Sequence, residues 1–90
     1  MTHTFAISIT FSSFEGLVAR VALLTERRSF VIESLIVRKP QDRLPFLSLV
    51  LSGPEARFEQ VCKQLQKLVD VVTVEEVAVV EKAEILALSA

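Results

Sequence analysis

An α+β fold is what this sequence predicts: one four-stranded antiparallel sheet with two helices on one face, in the order βαββαβ. Three observations carry that prediction. Residues 5–11 alternate apolar and polar side chains, two later stretches repeat apolar residues at helical spacing, and a proline-bounded turn joins two strand-like runs between those stretches. At 90 residues the chain is read as one domain with a radius of gyration near ~12 Å, which excludes multi-domain and solenoid arrangements.

Phe5, Ile7, Ile9 and Phe11 alternate with Ala6, Ser8 and Thr10, the period of a half-buried strand. Ser12 and Glu15 have the spacing of a capping box, after which Phe14, Leu17, Val18, Val21, Ala22 and Leu24 continue at helical spacing. Arg27 and Arg28 suit the negative end of that helix. Residues 30–38 (FVIESLIVR) are rich in β-branched side chains, residues 40–45 hold the turn formers Pro40, Asp42 and Pro45, and FLSLVLS (46–52) resumes the strand pattern, which makes a hairpin. Ser52 and Glu55 form a second capping-box pattern with Pro54 near the first helical position. The stripe of this second helix is Phe58, Val61, Cys62, Leu65, Leu68 and Val69. Residues 71–80 read as a fourth strand, and 83–88 (AEILAL) as a short fifth strand. The domain is therefore assigned to 1–80, with 81–90 as an extra C-terminal strand or tail.

Elements in this order close into the ferredoxin-like, or split βαβ, arrangement. If Ile7, Ile32 and Leu49 point at the helices, alternation sends Val31, Leu35, Val37, Phe46 and Val50 to the opposite face, beside Ala6, Ser8 and Thr10. That much apolar surface calls for a second subunit, or the fifth strand, to cover it. A mean hydropathy of +0.49 points the same way, and an oligomer is expected.

Hydrophobic residues at 51 % and charged residues at 23 % exclude a disordered chain. The net charge of −1 gives no overall field toward a nucleic acid or an anionic membrane, yet the charge is segregated. Residues 20–43 carry six basic against three acidic side chains, whereas residues 70–90 carry five acidic against one basic. No stretch approaches the ~20 apolar residues of a membrane span, and the opening residues lack the pattern of a leader, so a soluble, cytoplasmic protein is expected. The single Cys62 forms no internal disulfide and reads as a structural thiol on the helix stripe.

Catalytic constellations are missing. One histidine at position 3, expected to be loosely held near the N-terminus, and one cysteine provide no nucleophile with a base and no metal or cofactor site. Glu75 and Glu76 are adjacent on a strand, so they point to opposite faces and make no carboxylate dyad. RNA-reading sheets of this topology use stacking aromatics, and the chain has no Tyr or Trp; metal carriers use paired cysteines; acylphosphate hydrolases use an Arg and an Asn, and the chain has no Asn.

Three segments carry a resemblance: SSFEGLVARV (12–21), SFVIESLIVRK (29–39) and FEQVCKQLQKLVDVVTVEEV (58–77). In order and spacing, from about residue 5 to 77, the chain resembles the ACT domain of the small regulatory subunit of acetohydroxyacid synthase (acetolactate synthase). Residues 81–88 resemble the start of the second half of longer members, so the chain looks like a short, ACT-only form. The resemblance implies a non-catalytic homodimer, or a higher oligomer, with the second strands of two copies side by side. It further implies docking on the thiamine-diphosphate-dependent catalytic large subunit, which it activates, and a branched-chain amino acid bound at the dimer interface as feedback effector. The alternative is a stand-alone amino-acid sensor or an orphan dimerisation module.

The effector site that the resemblance implies comprises Ser13, Phe14, Glu15, Gly16, Leu17, Val18, Val31 and Ile32. Its carboxylate would rest on backbone N–H groups around Glu15, Gly16, Leu17 and Val18, where orphan donors and the helix dipole favour an anion and Gly16 permits close approach. The family usually has Asn in the loop and Gly and Asn before IESL; this chain has Ser13, Ser29 and Val31 there. Valine offers the ligand's ammonium group no acceptor, so an altered feedback site is expected.

Overall fold

A computed structural model describes residues 2–77 and arranges them as β1 (Thr2–Phe11), α1 (Leu17–Arg27), β2 (Val31–Arg38), β3 (Phe46–Pro54), α2 (Glu55–Gln66) and β4 (Val71–Glu76). Residues 78–80 of the expected fourth strand and all of the expected fifth strand lie outside the described residues. The four strands form one antiparallel sheet in the order β2-β3-β1-β4, and the radius of gyration is 12.3 Å.

Odd-numbered residues of β1 and β3 face the helices. Phe5, Ile7, Ile9, Phe11, Leu47, Leu49 and Leu51 make a core with Leu17 and Val21 of α1, Val61 and Leu65 of α2, and Phe30. The rings of Phe5 and Phe58 stack with centroids 3.9 Å apart, and Phe30 lies tilted against both. Aromatic pairs of this kind add about 0.5–1.5 kcal/mol beyond their burial. Gly53 of β3 sits under Phe30 so closely that a methyl group there would overlap the ring.

Strict alternation fails in β2. Pairing with β3 shifts register between Ile32 and Ser34, so Glu33 is the extra residue of a bulge and the two-residue period flips across it. Leu35 and Val37, expected on the open face, consequently pack on the core along with Ile32. Phe46 and Val50 do occupy the open face. Val50 and Ala6 are buried there with Val77 against them, and the Arg43 guanidinium lies 4.9 Å from the Phe46 ring centroid. Arg38 Nε donates to Ser48 Oγ at 3.2 Å on the same face.

Neither capping box forms. Gly16 is the N-cap of α1 with φ 69°, a left-handed conformation that glycine adopts without the strain of a Cβ, and Ser12 is drawn away to Asp70. Ser52 remains inside β3, and Pro54 in extended conformation caps α2. His3 is likewise not frayed: it lies within β1 opposite Gly53, and its Nε2 meets Glu55 Oε2 at 3.1 Å. Val69, placed on the second stripe by spacing, falls beyond the end of α2 and is exposed. Thr25 is buried in α1, its hydroxyl donating to the carbonyls of Val21 and Ala22.

α1 ends in a Schellman motif. Phe30 N–H donates to Thr25 O at 3.0 Å and Ser29 N–H to Glu26 O at 3.1 Å, with Ser29 at φ 69° where glycine is the usual occupant. Ser29→Gly is expected to stabilise the fold by about 0.5–1 kcal/mol, since relief of the left-handed strain exceeds the added chain entropy. The urea midpoint measures this; a lower midpoint would contradict it. Loss of the exposed 3.3 Å bond from Arg57 Nη1 to Ser29 Oγ subtracts little.

Candidate functional site

The loop between β1 and α1 is held from both sides. Ser12 N–H donates to Asp70 O at 2.8 Å and Ser12 Oγ to the same carbonyl at 3.3 Å, which ties the loop to the turn before β4. Arg20 closes that clamp, with Nη2 3.6 Å from Asp70 Oδ2 and 3.4 Å from Val69 O. Asp70 itself has φ 74°, a conformation that Asp tolerates better than most side chains. On the other side Phe14 lies tilted against Phe11 at 5.6 Å, with Lys39 Nζ 5.8 Å from its ring centroid.

Within the loop the donors are partly committed. Leu17 N–H bonds to Phe14 O at 3.0 Å, and Arg20 N–H makes the first helical bond to Gly16 O at 3.2 Å. The N–H groups of Val18 and Ala19 occupy the first turn, where a helix supplies no acceptor of its own. Leu17 is buried in the core and contributes only backbone; Glu15 is exposed and Ser13 and Val18 are half-buried.

Val31 and Ile32 are not beside this loop. Register puts Val31 level with Ser52 and Thr4, whereas the loop leaves the sheet beyond Thr10, which is level with Phe46 and Arg38. Along β1 the two levels, Thr4 and Thr10, are six steps apart, or about 20 Å at the usual rise per residue. One copy of the chain therefore holds Ser13–Val18 at one end of the sheet and Val31–Ile32 at the other. β2 is an edge strand among the described residues, and its first residue, Val31, is 59 % exposed.

Two other features belong to the helical layer. Cys62 is pushed up to about 11 from 9.0, first by burial and then by the nearby charge of Glu76. The thiolate is thus disfavoured in the folded chain, and stability is expected to fall as pH rises from 9.0 toward about 11, because the unfolded thiol ionises first. Urea midpoints across that window test this, and Cys62→Ala should flatten the slope. Between α1 and α2, a cleft of about 320 Å³ opens away from the sheet, lined by Arg20, Leu23, Leu24, Arg27, Arg28 and Leu68. Among the described residues no group of three or more His, Cys, Asp or Glu side chains is placed to hold a metal ion, and no helix is long and apolar enough to cross a membrane.

The clamp of Ser12, Arg20 and Asp70 was not legible as a site. Ser12 has the spacing of a cap, and only the Val-Asp-Val step before β4 hints that Asp70 makes a turn.

The sequence profile described as the ACT domain matches residues 14–74. The chain belongs to the ACT domain family. This ACT domain is 41 % identical over 78 residues to a probable acetolactate synthase small subunit of Archaeoglobus fulgidus, covering 86 % of the chain and 48 % of the relative. It is 42 % identical over 76 residues to the acetolactate synthase small subunit of Mycobacterium leprae, covering 83 % and 44 %. The chain thus spans about half the length of these relatives. Among solved structures, the acetolactate synthase small subunit of Thermotoga maritima superposes with a TM-score of 0.71 at 30 % identity, covering 89 % of this chain and 50 % of that one. The ACT domain of a GTP pyrophosphokinase from Chlorobium tepidum superposes with a TM-score of 0.67 at 15 % identity, covering 86 % and 100 %, and shows the shared fold. Both curated relatives and the Thermotoga maritima structure are named as small subunits of the synthase.

Proposed function

We propose that this ACT domain chain is a regulatory subunit that forms a homodimer, binds the catalytic subunit of acetolactate synthase and sets its activity in branched-chain amino acid biosynthesis. The observation that carries the reading is identity of 41 % and 42 %, over more than four-fifths of the chain, to relatives named as small subunits of that synthase. The absence of any nucleophile paired with a base in the sequence supports a regulatory role.

The sheet supports the dimer. Antiparallel pairing of two β2 edges about a twofold axis would bring Val31 and Ile32 of one copy to the end of the sheet where the other copy holds its β1–α1 loop. An effector carboxylate would then meet the N–H groups at the start of α1, near Gly16 and Val18, while its ammonium group would face Val31, which has no acceptor. Amino-acid feedback is accordingly altered or weakened in this reading.

Co-purification with the catalytic subunit, with turnover measured with and without valine, leucine and isoleucine, tests it. Association and raised turnover are expected. Failure to associate at micromolar concentration would overturn the reading. An amino acid that binds without effect on the synthase would instead mark a stand-alone sensor.

A further inference from the structure

We propose that the cleft between α1 and α2 is the docking groove for an acidic segment of the partner polypeptide, one that carries carboxylates around a branched aliphatic side chain. Both helices turn Leu17, Val21, Val61 and Leu65 toward the sheet, and the cleft lies on the side away from it. Its lining combines three guanidinium groups with three leucine side chains and the Gln64 amide. Leu23 is 50 % exposed, and Arg27 stands one turn along the same flank.

The three arginines are not equally occupied. Arg20 is drawn to Asp70 and the Val69 carbonyl, and Arg28 Nε donates to Gln64 Oε1 at 2.9 Å. Arg27 makes no hydrogen bond or ion pair among the described residues. The layer as a whole is cationic: residues 17–28 and 55–67 carry six basic side chains against three acidic ones, in a chain whose net charge is −1. Two of the three acids already face His3 and Lys63, which leaves Glu26 as the remaining counter-charge. A surface of this kind steers and orients a negatively charged partner.

The same features decide what kind of occupant fits. A small anion would not be enclosed, because Leu23 and Arg27 stand open to solvent, whereas ligand pockets bury most of their ligand. A single-stranded nucleic acid would need aromatic platforms, and the lining has none. A polypeptide segment laid along the cleft meets both demands, with its aliphatic side chain against Leu23, Leu24 and Leu68 and its carboxylates on the free fork of Arg27. The groove lies between the helices, whereas the dimer edge is a strand of the sheet, and the oligomeric state of each variant separates the two surfaces.

This assignment rests on the regulatory reading for the partner's identity, namely the catalytic subunit of acetolactate synthase. The test is biolayer interferometry of the purified catalytic subunit against the full chain and three variants: Arg27→Glu, Leu23→Gln and, as a control away from the cleft, Arg43→Glu. Circular dichroism confirms that each is folded, and sedimentation velocity gives its oligomeric state. Arg27→Glu and Leu23→Gln are each expected to weaken binding by at least about tenfold, with Arg43→Glu within about twofold of wild type. If both cleft variants bind as wild type does, the groove is overturned and the regulatory function stands. If the cleft variants lose dimerisation instead, the cleft is an interface between copies and the proposal is overturned. Absence of binding by the wild-type chain overturns the groove and the function together.

Discussion

Replacing Gly53 by alanine should destabilise the domain by about 2 kcal/mol and lower its melting temperature by roughly 10 °C, because the new methyl group overlaps the Phe30 ring. Phe30 has little room to retreat. It is 2 % exposed, tilted against Phe5 and Phe58 at centroid distances of 6.3 and 6.5 Å, and fixed at its backbone by the bond to Thr25 O. The physical cause is therefore a pairwise overlap, which a double-mutant cycle isolates. In a Phe30→Leu background, Gly53→Ala should cost much less than in the wild type. Equal costs in the two backgrounds would place the effect in glycine's backbone freedom instead of in the ring contact.

Ile7→Ala should destabilise the domain by about 3–4 kcal/mol, read by calorimetry or urea unfolding. Ile7 is fully buried in the middle of β1, opposite Leu49 of β3 and Glu76 of β4, so neighbours on two strands and two helices limit how far the site can collapse around the cavity. Such a loss is a large part of the total stability expected of a small domain, about 5–15 kcal/mol. Leu44→Ala, at a residue 48 % exposed, should change stability by under about 0.5 kcal/mol. Similar losses at the two positions would mean that the core does not lie where Ile7, Leu17, Val61 and Leu65 place it.

The element order and the two helical stripes were legible because period alone separates Phe5–Phe11 from Leu17–Leu24 and Phe58–Leu65. The bulge at Glu33 was not. Nothing in FVIESLIVR marks one residue as supernumerary, and the misplacement of Leu35 and Val37 follows directly from counting by twos through it. The capping boxes misled for a different reason. Ser12 and Ser52 satisfy a local rule, but the backbone of Asp70 competes for the first, and β3 pairing with β1 keeps the second in extended conformation. Gly53 could have been noticed as one of only two glycines in the chain, although its reason, the ring of Phe30 packed against it from earlier in the chain, is tertiary. At the candidate site, the sequence brought Ser13–Val18 and Val31–Ile32 together by resemblance; register then separates them within one chain, which no local pattern could reveal.

The order β2-β3-β1-β4 has a consequence for how the molecule is made. During synthesis β1 emerges before the other three described strands, yet both of its neighbours, β3 and β4, follow β2 in the chain. Until residues 46–54 emerge, Phe5, Ile7, Ile9 and Phe11 have no strand beside them, and β2 has no hairpin partner either. The nascent chain thus carries this apolar strand unshielded while residues 12–45 are added, an interval in which a holding chaperone near the exit would protect it.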